Sequence, residues 1–157
     1  MKINLLYQGR SKKNIFAEAE KVYSDRIRRY QKIDLQRIDP LKLSSALSID
    51  QIRIKEEKYF TRHIKPGSYC ILLDEKGKQH NSISFSKYIE RLRASVNRDI
   101  YFVIGGAYGF SDSFKSKSDD IITLSQLTLP HHLARIVFLE QLYRSFSILA
   151  GEPYHNI

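Results

Sequence analysis

Ile100-Tyr101-Phe102-Val103-Ile104-Gly105-Gly106-Ala107-Tyr108-Gly109 is the stretch whose reading decides the fold. Five residues without a polar interruption read as a strand covered on both faces, and such strands belong to parallel sheets. The glycines follow at once, where the chain must turn sharply or let backbone come close to another group. A second unbroken run lies at 69–73, closed by a turn at 74–77. Shorter strand patterns occupy 3–7, 33–38 and 121–124. Helical spacing separates them. Ile15, Ala19, Val22 or Tyr23, Ile27 and Tyr30 form one apolar stripe. Ser48-Ile49-Asp50-Gln51 fits a capping box opening a helix with Ile52, Tyr59 and His63 on one side. Phe85, Tyr88 or Ile89, Leu92 and Val96 mark a third helix, a short one starts near Ser113, and the last runs from His131 to about Leu149, where Gly151 can cap it. Strands alternating with helices give an α/β fold, a mostly parallel sheet flanked by helices.

At 157 residues the chain suits one domain, 1–157. A single cysteine excludes a disulfide framework within the chain. No apolar run approaches the ~18 residues of a membrane span. The N-terminus is too briefly apolar for a signal peptide, so the cytoplasm is the expected compartment. The net charge is +9. Residues 1–65 hold 16 basic and 8 acidic groups, against 10 and 9 in the remainder. Such an excess in one half is what a polyanion partner requires, although solvated helix faces account for it equally well. The basic residues alternate with Glu18, Glu20, Glu56 and Glu57 and so lack the cluster that anionic lipid favours.

Gly105-Gly106-x-x-Gly109 is not the dinucleotide fingerprint G-x-G-x-x-G, and no GK[ST] follows it. It does stand at the carboxyl end of a strand, where open α/β sheets bind their ligands. Leu124-Ser125-Gln126-Leu127-Thr128-Leu129-Pro130 holds three leucines in a connection, which implies buried backbone in need of partners. A flat heteroaromatic ring would supply them, with leucines over its faces; a loop packed into the core is the other reading. His131 and His132 point about 100° apart on a helix and cannot share a metal. Cys70 reads as a small buried side chain. Tyr154 and His155, near the chain end, belong either to a plain tail or to a site that stacks on or protonates a nucleobase.

These pieces in order, with Arg135, Glu140-Gln141-Leu142-Tyr143-Arg144-Ser145-Phe146 and Pro153-Tyr154-His155, resemble the ribosomal RNA large subunit methyltransferase H family of SPOUT, or α/β-knot, methyltransferases. The likeness is strongest from Tyr69 to His155 and extends to a basic glycine turn ending at Lys13. It implies a C-terminal trefoil knot, a rare exception to the rule against threaded chains. It also implies a homodimer through that region, and methyl transfer from S-adenosylmethionine to N3 of a pseudouridine in 23S ribosomal RNA of the assembled ribosome. Carried onto this sequence, the donor pocket would comprise Leu73, Gly105, Leu124, Ser125, Gln126, Leu127, Thr128 and Leu129, with no metal. Tyr154 and His155 would position the substrate or handle its proton. Arg135 and Arg144 would anchor phosphate or stabilise the deprotonated base, unless each simply pairs with an acid. Asn156 and Ile157 stand where the family usually has a basic residue. A non-enzymatic ribosome-associated RNA binder, or the same fold acting on another RNA nucleotide, are the alternatives; an intact donor pocket argues against the first.

Overall fold

The computed structural model describes residues 1–10 and 15–155. Strands β1 (Ile3–Gln8), β2 (Ile33–Ile38), β3 (Tyr69–Gln79), β4 (Ile100–Ile104) and β5 (Asp120–Thr123) alternate with helices. The helices are α1 (Ala17–Arg28), α2 (Ile49–Thr61), α3 (Ser82–Ser95), α4 (Asp112–Lys117) and α5 (His131–Leu149). One sheet holds all five strands in the order β2-β1-β4-β3-β5, every pair parallel.

Because strand side chains alternate, the sheet has two apolar faces, each with its own core. Ile3, Leu5, Ile71, Phe102 and Ile104 pack with Ile27, Ile89, Phe138 and Phe146, beneath α1, α3 and α5. Leu6, Leu72, Val103 and Cys70 pack with Phe60 and Phe114, beneath α2 and α4. The central strand β4 is buried along its whole length, as its unbroken apolar run requires. Helix α5 runs between α1 and α3 and is apolar on most of its circumference, with Phe138, Leu139, Leu142 and Phe146 at 0–1% exposure. It closes with Gly151 at φ +70°, whose amide donates to the Ile148 carbonyl while that of Glu152 donates to Ser147. The Ser48 capping box of α2 is present with both reciprocal bonds.

Two stripes differ from their spacing. In α1 the buried residues are Glu20, Ser24 and Ile27, while Ile15 is 90% exposed and Val22 42%. In α2 they are Glu56, Glu57 and Phe60, and His63 is exposed. In both helices, carboxylates with tertiary partners displace apolar side chains from the packed face. The turn expected at 74–77 is instead a bulge inside β3: Ile122 sits opposite both Leu73 and Lys78. The basic turn through Lys13 and the end at Asn156 and Ile157 lie outside the described residues.

Candidate active site

Strand β3 is followed by α3 on one face of the sheet, and β4 by α4 on the other. The carboxyl ends of these neighbours therefore part into a crevice, the place where open α/β sheets bind ligands. A cavity of about 800 Å³ lies there, walled by Leu73, residues 104–110, Leu124, Ser125 and residues 127–131. That volume suits a nucleoside-sized molecule.

The walls explain the glycines. A Cβ on Gly105 would lie 2.9 Å from the ring of Phe110, and one on Gly106 would collide with the carboxylate of Glu56. Arg53 Nε donates to the Tyr108 carbonyl at 2.8 Å, and Lys115 pairs with Asp74 at 3.0 Å, so α2 and α4 brace the glycine loop and the end of β3. Across the cavity, the 124–130 segment is fastened locally. Thr123 Oγ1 donates to the Ser125 carbonyl at 2.7 Å, and the Leu127 amide donates to Ser125 Oγ at 2.9 Å. Among the described residues, the amides of Gln126, Thr128 and Leu129 find no acceptor in the chain. The segment lies open rather than in the core, with Leu127 76% exposed. Main-chain donors, leucine side chains and a glycine cradle in one cavity fit a flat heteroaromatic ring with a slender, polar extension. His131 at the rim is held below its ordinary value, chiefly by the protein around its ring and then by Arg135 and His132, so its imidazole is neutral at pH 7.

Seven of the eight residues expected around a donor thus meet in one cavity. Gln126 is the exception: it is not part of the cavity wall, and its side chain donates to Gln79 Oε1 at 2.9 Å. The four residues expected at the substrate lie elsewhere. Arg135 is 3% exposed; it pairs with Glu20 at 2.7 Å, contacts His132 Nδ1 and lies over the Tyr7 ring at 4.4 Å. It is a buried tie between α5, α1 and β1, the pairing with an acid that the sequence also allowed. Arg144 pairs with Glu140, lies 3.2 Å from His155 Nδ1 and covers the Tyr154 ring at 4.7 Å. Tyr154 stacks edge-on against Tyr143 and donates its hydroxyl to Glu140 at 3.2 Å. Burial, then Tyr23 and the charge of Glu140, hold that phenol well above its ordinary value, so it stays a donor. Arg144, Tyr154 and His155 therefore form one cluster. It begins ten residues beyond Ala134, the last residue of α5 in the cavity wall, or about 15 Å along the helix.

Sequence reasoning missed Glu56, Asp74, Lys115 and Arg53. A signal for Glu56 existed: it stands four residues after Ile52 and four before Phe60, in phase with the apolar stripe, where a carboxylate is out of place.

Comparison with known proteins bears on what this cavity does. Residues 1–155 match the family model described as "Predicted SPOUT methyltransferase". The chain belongs to the SPOUT methyltransferase family. It is 38% identical over 156 residues to a protein of Parabacteroides distasonis named "Ribosomal RNA large subunit methyltransferase H", covering 99% of each chain. The protein of that name from Christiangramia forsetii is 39% identical over 156 residues, again covering 99% of both. Among solved structures, a tRNA (m1G37) methyltransferase from Aquifex aeolicus superposes with a TM-score of 0.53 at 15% identity, over 99% of this chain and 74% of that one, a likeness of fold alone. SPOUT methyltransferases take their methyl group from S-adenosylmethionine, and the cavity fits it. The trefoil knot follows from family membership rather than from the strand order. No cluster of three His, Cys, Asp or Glu side chains suited to a metal occurs among the described residues, and no helix among them is long and apolar enough to cross a membrane.

Proposed function

We propose that this SPOUT methyltransferase methylates N3 of a pseudouridine in 23S ribosomal RNA of the assembled ribosome, acting in the cytoplasm as a homodimer of single-domain chains. The observation supporting it above others is the cavity at the β3–β4 crevice, with its glycine cradle and open 124–129 main chain, in a chain so similar to proteins named for ribosomal RNA methylation. Leu73, Gly105, Leu124, Ser125, Leu127, Thr128 and Leu129 hold the donor, with the backbone of Gln126 beside them. Bound there, S-adenosylmethionine supplies an electrophilic methyl group.

The protein's task is then to bring N3 in line behind that methyl and to take the N3 proton. Within one protomer the Arg144–Tyr154–His155 cluster is too distant. A second copy docked through the cavity side of α5 brings it near. Leu127, Leu133 at 39% exposure and half-buried Ile136 and Val137 offer the apolar surface for that contact. Tyr154 and His155 of one chain would then serve the cavity of the other, with Arg144, whose charge Glu140 already offsets, setting their orientation. Basic groups of residues 1–65 add sequence-independent phosphate contacts. Mass mapping of ribosomal RNA from cells with and without the gene tests the whole reading. One methylated pseudouridine should vanish from the large-subunit RNA, and an unchanged methylation map overturns it.

A further inference from the structure

Among the described residues, Glu56 is a buried carboxyl beside the cavity that the fold leaves without a counterion. It is 8% exposed, Oε1 accepts from Gln8 Nε2 at 3.2 Å, and Oε2 has no partner. Every other buried carboxylate nearby is neutralised. Asp74 has Lys115 at 3.0 Å. Glu57, the next residue, has Lys117 at 2.9 Å together with the hydroxyls of Ser111 and Ser113. Among the described residues Glu56 has no cation within ion-pair distance. Burying an uncompensated carboxylate is expensive, so such a group either takes up a proton or is stabilised by a cation that enters beside it.

Its position says which counterion. The carboxylate presses on the Cα of Gly106, so that any side chain there would collide with it, and Gly106 lines the cavity. Arg53, one turn earlier on α2, lines it too, but its guanidinium is committed to the Tyr108 carbonyl and Asp50. The Glu56 carboxyl group thus stands directly behind Gly106, which carries no side chain to shield it from the cavity. We infer that Glu56 is the positioning and selecting charge for the donor's sulfonium: acting through Gly106, it favours the cationic donor over the demethylated, uncharged product. This rests on the cavity being the donor site. Methyl transfer removes the positive charge from sulfur, so the same carboxylate loosens the product once the reaction is done. Burial also pushes the Glu56 carboxyl above its ordinary value, opposed by the Gln8 hydrogen bond, as an unmet charge should be.

Calorimetry on the purified full chain tests this with three probes: S-adenosylmethionine, S-adenosylhomocysteine, and sinefungin, whose amine carries the charge without a sulfonium. Glu56→Gln keeps the shape and the Gln8 contact but removes the charge; Glu56→Asp keeps the charge. In Glu56→Gln the affinities for S-adenosylmethionine and sinefungin should fall about tenfold, while that for S-adenosylhomocysteine stays within about twofold; Glu56→Asp should retain most of the preference. Equal changes for all three ligands would mean a merely structural role, and no change would mean none; either overturns the inference. Wild-type protein that binds none of the three instead overturns the donor-site reading on which it depends.

Discussion

Glu56 and Glu57 are adjacent in the chain and opposite in energetics. Burial raises the Glu56 carboxyl above its ordinary 4.5, so its stabilising contribution is full at low pH and is lost as pH rises through the raised value. For Glu57 burial acts the same way, but the hydrogen bonds of Ser111, Lys117 and Ser113 together outweigh it and lower the carboxyl, so its contribution is present above 4.5 and lost as pH falls through the depressed value. Glu56→Gln should therefore stabilise the ligand-free protein at pH 7 by about 1 kcal/mol, roughly 3 °C in melting temperature. Glu57→Gln should cost about 2 kcal/mol. Both differences should shrink in melts at pH 4, and a Glu56→Gln protein less stable than wild type at pH 7 would contradict the account. Gly105 makes a simpler case. In Gly105→Val the added methyls meet the Phe110 ring, which a mere Cβ would already approach to 2.9 Å, so two walls of the cavity, the ring and the end of β4, must shift apart. Calorimetry should then show at least about a tenfold loss of S-adenosylmethionine affinity. The need for glycine at 105 and 106 could be read from the sequence, since each follows a buried strand. What presses on them could not, because Phe110 and Glu56 reach them only through the packing of α4 and α2.

At the scale of elements, α5 is the part most easily read and most easily misassigned. Its length, its first residues and its Gly151 closure follow from local chemistry. So do the parallel strands, since unbroken apolar runs have few other homes. The packed faces of α1 and α2 were less legible: spacing marks apolar residues, whereas Glu20 and Glu56 are buried by partners far away in sequence. Arg135 shows the consequence. Its approach to Glu20 spans 115 residues, so nothing local distinguishes it from a substrate-binding arginine. As a buried tie it makes a definite prediction. Arg135→Ala leaves Glu20 buried without its cation and should cost about 3 kcal/mol in urea unfolding. The double change Arg135→Met with Glu20→Met should cost less than Arg135→Ala alone, since it removes both charges together. In the folded fraction, S-adenosylmethionine affinity should be unchanged, because Arg135 points away from the cavity. A selective loss of that affinity would return the residue to the site.

The whole molecule divides its labour. Net positive charge sits mainly in the first 65 residues, the cavity at the carboxyl ends of β3, β4 and β5, and the Arg144–Tyr154–His155 cluster farther along α5. Replacing Arg28 and Arg29 by Glu should weaken ribosome binding and flatten its dependence on salt, since each lost phosphate contact removes released counterions. Asp25 already pairs with Arg28 at 2.6 Å, so Arg29 should account for more of the effect. The separation of cavity and cluster sets the strongest demand. If each cavity is served by its partner's tail, Gly105→Val and His155→Ala damage different halves of a shared site. Each variant alone should be nearly inactive on ribosomes. Mixed and allowed to exchange subunits, half of the dimers become heterodimers, each with one site whose Gly105 and His155 are both intact. Activity should then recover to about a quarter of wild type. If the tail served its own cavity, each heterodimer would hold two damaged sites, and mixing would restore nothing.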